Sequence, residues 1–271
     1  MFKNRLEYID KLQYVIAKHR RALPLRLVAA GSERYLRAWY NQARWGFETN
    51  GEAFVLTRLN EWAHGNRITI WDVGAHNGEW SDIAHQMVPS AVIHSFEIIP
   101  EIASTLTDSS WRSAHPFGLS NAEGTVDVHW NQGHNTESSI NPRSESTTFQ
   151  KSPVAVIQCQ VKTGDKLVGE LGFPDFLKID TEGHETFVLN GFSETLQSSN
   201  APALIQFEYG VTYIPSGSTL RQIYALLPGY SIGRVYPDYV DFKPYSYADE
   251  NFRMCNMVAT RDPKLRELLS R

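Results

Sequence analysis

The sequence predicts an α/β fold built on a mostly parallel sheet with helices on both faces, and two features carry that prediction. From residue 68 onward, short and nearly continuous apolar runs alternate with helical stretches, the texture of strands buried on both faces. The first run, in "ITIWDVGAHNGEWS" at 68–81, ends on Asp72 and then needs Gly74 and Gly78, as a strand does when it turns tightly into a helix.

The apolar runs in order are "ITIWDV", "AVIHSFE", "SAHPFGL", "PDFLKID" and "ALIQFEY", with helices expected to begin near Glu79, Pro100, Thr181 and Ser218. "GTVDVHW" and "VAVIQCQV" read as an inserted strand pair flanking the polar stretch "NQGHNTESSINPRSESTTFQKSP". A last run, "FRMCNMVAT", is expected as an edge strand before a basic C-terminal helix. Upstream, Leu6, Ile9, Leu12, Val15 and Ile16 keep helical spacing, and Phe54, Leu56, Leu59 and Trp62 repeat it. Residues 1–63 therefore read as a helical arm and 64–271 as one domain.

Composition narrows the function. At 42% hydrophobic and 21% charged residues the chain reads as soluble and globular. Two cysteines, Cys159 and Cys255, make no disulfide framework and no zinc cluster, so a cytoplasmic location is expected. No apolar run approaches the roughly 20 residues of a bilayer span, and the first residues mix acids and bases, unlike a secretory signal. Residues 1–47 hold ten Lys/Arg against three Asp/Glu, or +7, which leaves −11 for the rest of a chain of net charge −4. Such a basic arm serves either as a cap docked on its own acidic domain or as a contact for another subunit or anionic surface, a homodimer through the N-terminal helices being one expectation. An acidic body lacks the basic face of a nucleic-acid binder.

In an open parallel sheet, ligands bind beyond the carboxyl ends of the strands. A dinucleotide site needs G-x-G-x-x-G to seat a pyrophosphate on a helix N-terminus. Here D-V-G-A-H-N-G lacks the middle glycine and adds an acid that repels phosphate but suits a cofactor carrying an ammonium group. The second run ends in Glu97, 25 residues after Asp72, close to the place, about 20 residues on, of an acid that takes both ribose hydroxyls. Together these point to S-adenosylmethionine.

The stretches "WDVGAHNGEWS", "SFEIIPE", "FGLSNAEGTV", "VKTGDKL", "FLKIDTEGHETFVLNGF" and "IQFEYG", spread over residues 68–210, resemble the FkbM-type methyltransferases. The resemblance implies a class I methyltransferase fold, Rossmann-like, with a seven-stranded sheet and an antiparallel last strand at its edge. It further implies that Asp72, Gly74 and Gly78 line the methionine half of S-adenosylmethionine, with Ala75, His76, Asn77 and Ser81 among the cofactor-binding residues. Glu97 would take the ribose, and Ser120 and Asn121 would lie near the adenine. The implied activity is O-methyl transfer to a hydroxyl of a sugar, glycan, glycolipid or secondary metabolite.

Asp180, Glu182 and Glu208 fall at the carboxyl ends of adjacent expected strands, with Lys178 just inside. Two readings stay open. In one, Asp180 or Glu208 holds and deprotonates the acceptor, with His134 or His184 as base. In the other, Asp180 and Glu208 hold a cation such as Mg2+. Glu182 also reads as an acid paired with Lys178 and Glu185 at a helix N-terminus. The polar insert with His134, Asn135, Ser138, Ser139 and Arg143 reads as a substrate lid. Tyr236, Tyr239, Tyr245 and Tyr247 either stack on a sugar face or pack on one another. Outside this reading stand N-methylation, for which the sequence holds no N/D-P-P-Y/F/W tetrapeptide, and a non-catalytic scaffold that only binds S-adenosylmethionine.

Overall fold

Two units make up the computed structural model, Met1–Gln42 and Ala43–Arg271, with residues 2–42, 46–132, 138–142 and 153–271 described. The first unit holds α1 (Phe2–Lys18) and α2 (Leu23–Trp39). Pro24 sits in the first turn of α2, where its missing N–H is one of the groups a helix start leaves free anyway. No residue of α2 is buried, and Ile9, Leu12, Val15, Ile16, Leu27, Val28 and Trp39 are exposed. Among the described residues no helix is long and apolar enough to cross a membrane.

The second unit begins with α3 (Phe47–Asn50) and α4 (Glu52–Ala63), then β1 (Ile68–Val73), α5 (Glu79–Met87), β2 (Ala91–Phe96), α6 (Pro100–Ala103) and β3 (Arg112–His115). Next come β4 (Gly118–Leu119), β5 (Gly124–Asn131), β6 (Val154–Lys162), α7 (Gly164–Leu171) and β7 (Phe176–Ile179). The chain continues through α8 (Glu185–Asn190), α9 (Ser193–Gln197), β8 (Leu204–Tyr209), α10 (Tyr213–Ser216) and α11 (Leu220–Leu226). It ends with β9 (Ser231–Val235), β10 (Val240–Phe242), β11 (Cys255–Thr260) and α12 (Pro263–Leu269).

The main sheet runs β10-β9-β11-β8-β7-β1-β2-β3, and its strands β8, β7, β1, β2 and β3 are mutually parallel. It has eight strands, not the expected seven. The last strand, β11, is antiparallel to its neighbours as expected, but it lies inside the sheet between β8 and β9, and β10 takes the edge. The reason is burial on both faces of β11, where Met257, Val258 and Ala259 are all enclosed. The inserted strand pair is present as β5 and β6, antiparallel from Gly124↔Val161 to Asn131↔Val154. "SAHPFGL" divides, however: β3 ends the main sheet while β4 pairs with β6 to make a separate three-stranded sheet.

Alternation along each strand assigns side chains to two layers. Trp71, Val73, Leu177, Ile179, Ile205 and Phe207 face α8, α9 and α11, packing on Val188, Phe192, Leu196 and Ile223. Ile68, Ile70, Ile93, Phe176 and Leu204 face α4, α5 and α12, packing on Val55, Leu56, Leu59, Ala84 and Leu265. Helix α4 is therefore part of the second unit's core, which begins upstream of the boundary at 63/64 read from sequence. The cysteines Cys159 and Cys255 are both buried free thiols, pushed up to about 11 by burial first.

Trp71 is fully buried and packs its ring at 5.1 Å from Phe96 and 5.5 Å from Phe192, across β1, β2 and α9's approach. Replacing it with Ala is expected to cost about 3–5 kcal/mol, read as a lower urea midpoint with an unchanged slope.

Candidate active site

The loop after β1 holds three residues in left-handed conformation, Gly74 (φ 84°), His76 (φ 50°) and Gly78 (φ 83°). A side chain at position 74 would run into the Asp180 carbonyl oxygen, so only glycine lets the ends of β1 and β7 approach this closely. The Gly74 and Ala75 amides both donate to the Phe96 carbonyl at 2.9 Å. The His76 amide donates to Glu97 Oε2 and the Ile99 amide to Glu97 Oε1, each at 2.8 Å. Glu97 thus fastens the loop after β1 to the loop after β2. Burial pushes its carboxyl up, and these two backbone donors oppose that shift. Asn77 is exposed at the loop tip, donating its amide to Glu79 Oε1 at 3.0 Å.

Asp72 lies beneath the loop and is fully buried. Its Oδ1 accepts from Lys178 Nζ at 3.0 Å and its Oδ2 from Ser81 Oγ at 2.7 Å. Asp72 pairs with Lys178 in register, and Lys178 with Gln206, so the three form one row across β1, β7 and β8. Gln206 Nε2 donates to Glu52 Oε1 at 2.8 Å, which closes the row with a carboxylate from α4. Trp80 covers Lys178, its ring centre 5.0 Å from the ammonium. Burial alone would push the Lys178 ammonium down. Asp72, Asp180 and Glu52 together outweigh it and hold the proton above the usual lysine range. Burial pushes the Glu52 carboxyl up, opposed by the Lys178 charge and the Asn50 and Gln206 amides.

The next layer lies outward of this row and is more exposed. The Asp180 side chain is 45% exposed, with Oδ2 3.6 Å from Lys178 Nζ. Carboxylate oxygens of Asp180, Glu182 and Glu208 all lie within 4.8 Å of one another. Glu182 is itself left-handed (φ 57°), and Glu185 holds that turn. Glu185 Oε1 accepts from the Thr181 amide at 2.9 Å, the Thr181 hydroxyl at 3.2 Å and the Gly183 amide at 3.2 Å. Lys178 therefore pairs with Asp72 and Asp180, while Glu185 binds backbone instead of lysine.

Other expected residues take supporting places. Ser120 is buried and its Oγ lies 2.9 Å from His184 Nε2, which ties the end of β4 to the start of α8. His184 is buried too, and burial pushes it down to about 4, so at neutral pH it is an uncharged strut and a poor base. Asn121 is exposed and accepts from Ser120 Oγ at 3.2 Å. Ser139, from the insert, donates its hydroxyl to the Glu182 carbonyl at 3.1 Å. His134, Asn135 and Arg143 lie outside the described residues. Tyr236 and Tyr239 stack on each other at 4.7 Å, and Tyr245 packs on Tyr224 at 5.5 Å, so these rings mostly pack together. Glu52 is the member of this site to which the sequence reading gives no role, although Asn-Gly-Glu at 50–52 belongs to the family resemblance. Its signal was that turn, upstream of every strand.

The Methyltransferase FkbM domain matches residues 72–231, more than half of the chain, from the acid of β1 to the start of β9. The chain belongs to the FkbM methyltransferase family. It is similar to the hexuronic acid methyltransferase AglP of Haloferax volcanii, 29% identical over 171 residues. That match covers 60% of this chain and 65% of AglP, so the chain spans a little under two thirds of that relative. Among solved structures it is similar to methyltransferase FkbM from Methylobacillus flagellatus KT, at 15% identity and a TM-score of 0.44, covering 72% of this chain and 43% of that one. It is also similar to the plantazolicin methyltransferase BpumL in complex with SAH, at 12% identity and a TM-score of 0.38, covering 95% and 99%. The family assignment rests on the domain match.

Glu185 supplies a pH test of the site's architecture. It is fully buried, and burial raises its carboxyl to about 7 against the pull of the backbone donors. The folded state prefers the neutral acid. This group's contribution is therefore fully present below about 4.5 and is lost as pH rises toward 7. Glu185→Gln is expected to flatten the fall in stability between pH 5 and 8 by on the order of 3 kcal/mol. Glu52 and Glu97, shifted in the same direction, leave a residual slope. Urea midpoints across that range read it, and parallel curves for wild type and variant would refute it.

Proposed function

We propose that this protein is an S-adenosylmethionine-dependent O-methyltransferase acting on a sugar hydroxyl. The observation that carries the reading is the left-handed glycine loop tied through Glu97 to the second strand, with the exposed Asp180 carboxylate beside it. The residues fit that donor. Glu97 and Asp180 supply carboxylates where a ribose and a cation are to be held, and the loop lacks the glycine spacing that seats a pyrophosphate. When bound, S-adenosylmethionine supplies an electrophilic methyl group on a sulfonium.

The chain's own residues then do three things. Glu97 and the loop after β1 shape the donor site, Asp72 and Lys178 hold the loop floor from below, and Asp180 with Glu208 would orient the acceptor hydroxyl. Asp180 is the residue that would take the proton of the acceptor hydroxyl. A divalent cation such as Mg2+ is the second reading of this cluster, favoured by three carboxylates whose oxygens lie within 4.8 Å. AglP is named for a hexuronic acid, and an acidic sugar would meet repulsion here unless a cation lay between.

The test is calorimetry with S-adenosylhomocysteine, followed by methyl transfer to neutral hexosides and hexuronic acids with Mg2+ or with EDTA. Micromolar binding is expected in wild type and at least tenfold weaker binding in Glu97→Ala. Asp180→Asn is expected to lower kcat by about 10²-fold or more. Failure of folded wild type to bind would end the reading, and loss of turnover in EDTA would assign the carboxylates to a metal.

The exposed apolar residues of α1 and α2 support the accompanying expectation of a homodimer through these helices. Light scattering is expected to give a dimer mass for wild type and a monomer mass for a Leu12→Asp/Val28→Asp variant. A monomeric wild type would remove it.

A further inference from the structure

Glu52 lies upstream of the matched family domain, which starts at residue 72, yet it reaches the centre of the site. The turn before it is built to place it. Gly51 is left-handed (φ 97°) and packs against β9, where a side chain would meet the Val235 methyl and the Tyr236 carbonyl. Asn50 braces Glu52 from both ends, with Nδ2 donating to Oε2 at 2.6 Å and Oδ1 accepting from the Glu52 amide at 2.9 Å. Oε1 accepts from Gln206. Both carboxylate oxygens are thus occupied as acceptors, and only 9% of the residue is exposed.

The charges around Lys178 do not balance. One ammonium faces three carboxylates, those of Asp72, Asp180 and Glu52. Asp72 is already held by a direct bond at 3.0 Å and by Ser81. Asp180 stands farther off, at 3.6 Å, with its side chain partly in the cleft. The Glu52 carboxylate, bonded to Gln206 in the same row, competes with Asp180 for the ammonium and adds negative potential to the site. That potential favours a donor with a fixed positive charge beside its methyl group over the same molecule after the methyl has left.

We propose that Glu52 is a positioning residue of the donor site, which offsets Lys178 so that Asp180 faces the cleft and the site prefers the cationic donor to its neutral-sulfur product. The proposal rests on the donor reading above. It makes α4, outside the matched domain, part of the methyltransferase machinery, and it assigns the Asn-Gly-Glu turn a role in product release: the by-product loses the sulfonium attraction that held the donor.

The experiment measures dissociation constants of S-adenosylmethionine and S-adenosylhomocysteine on the full chain, at one pH and low salt, for wild type, Glu52→Gln and Glu52→Asp. Melting temperature serves as the folding control. In Glu52→Gln, S-adenosylmethionine is expected to bind three- to tenfold more weakly, with S-adenosylhomocysteine within twofold of wild type. Glu52→Asp, which keeps the charge, is expected to hold the wild-type ratio even if its melting temperature falls. A parallel loss of both ligands, or no change in either, would overturn the proposal and leave Glu52 a structural residue. Absence of both from folded wild type would instead remove the donor reading, and this proposal with it.

Discussion

One buried ammonium organises this molecule. Lys178 sits on a central strand, 3% exposed, and an isolated charge there would cost many kcal/mol in lost hydration. Its environment is therefore constrained: Asp72 on one neighbouring strand, Gln206 on the other, Asp180 one turn outward and Glu52 from the covering helix. Each partner belongs to a different element, so β1, β7, β8 and α4 must be in register before the charge is satisfied. Removing one partner strands the others, which is why such a network specifies one arrangement more than it adds to stability.

Function is layered on that row. Directly above it the chain adopts left-handed backbone at Gly74 and Gly78, which glycine takes freely, and at His76 and Glu182, which keep it only where their surroundings hold them. Glu97 joins the loops after β1 and β2 through one backbone amide of each, and Glu185 holds the turn after β7 through two amides and a hydroxyl. A carboxylate buried to do such work is pushed toward its neutral form, and both acids are. Outward of this row Asp180, Glu182 and Glu208 bring their carboxylate oxygens within 4.8 Å of one another. Membership of the FkbM family accounts for the glycine loop and the strand-end acids. The support from α4 lies upstream of the matched domain.

Acidity also limits what the cleft accepts. Three carboxylates close together repel an anionic acceptor unless a cation joins them, and they suit neutral or cationic groups as they stand.

Local sequence was enough for the alternating strands and helices, the glycine loop, and the placement of residues 72, 97, 180 and 208 at the ends of strands, because strand burial and tight turns leave marks within a few residues. Strand order was not legible. Whether β11 closes the sheet or lies within it depends on the β9–β10 hairpin, and nothing in "FRMCNMVAT" records that neighbour. Nor did the sequence reveal that Asp72 is a buried partner of Lys178 rather than a group facing the cleft, or that His184 is a neutral strut for Ser120. Those roles depend on burial and on pairing between residues 106 and 64 positions apart, quantities that only the folded chain defines. Glu52 belongs with them: an ordinary acid at the start of an ordinary helix, it joins the site only because tertiary packing brings it, 154 residues away along the chain, to Gln206.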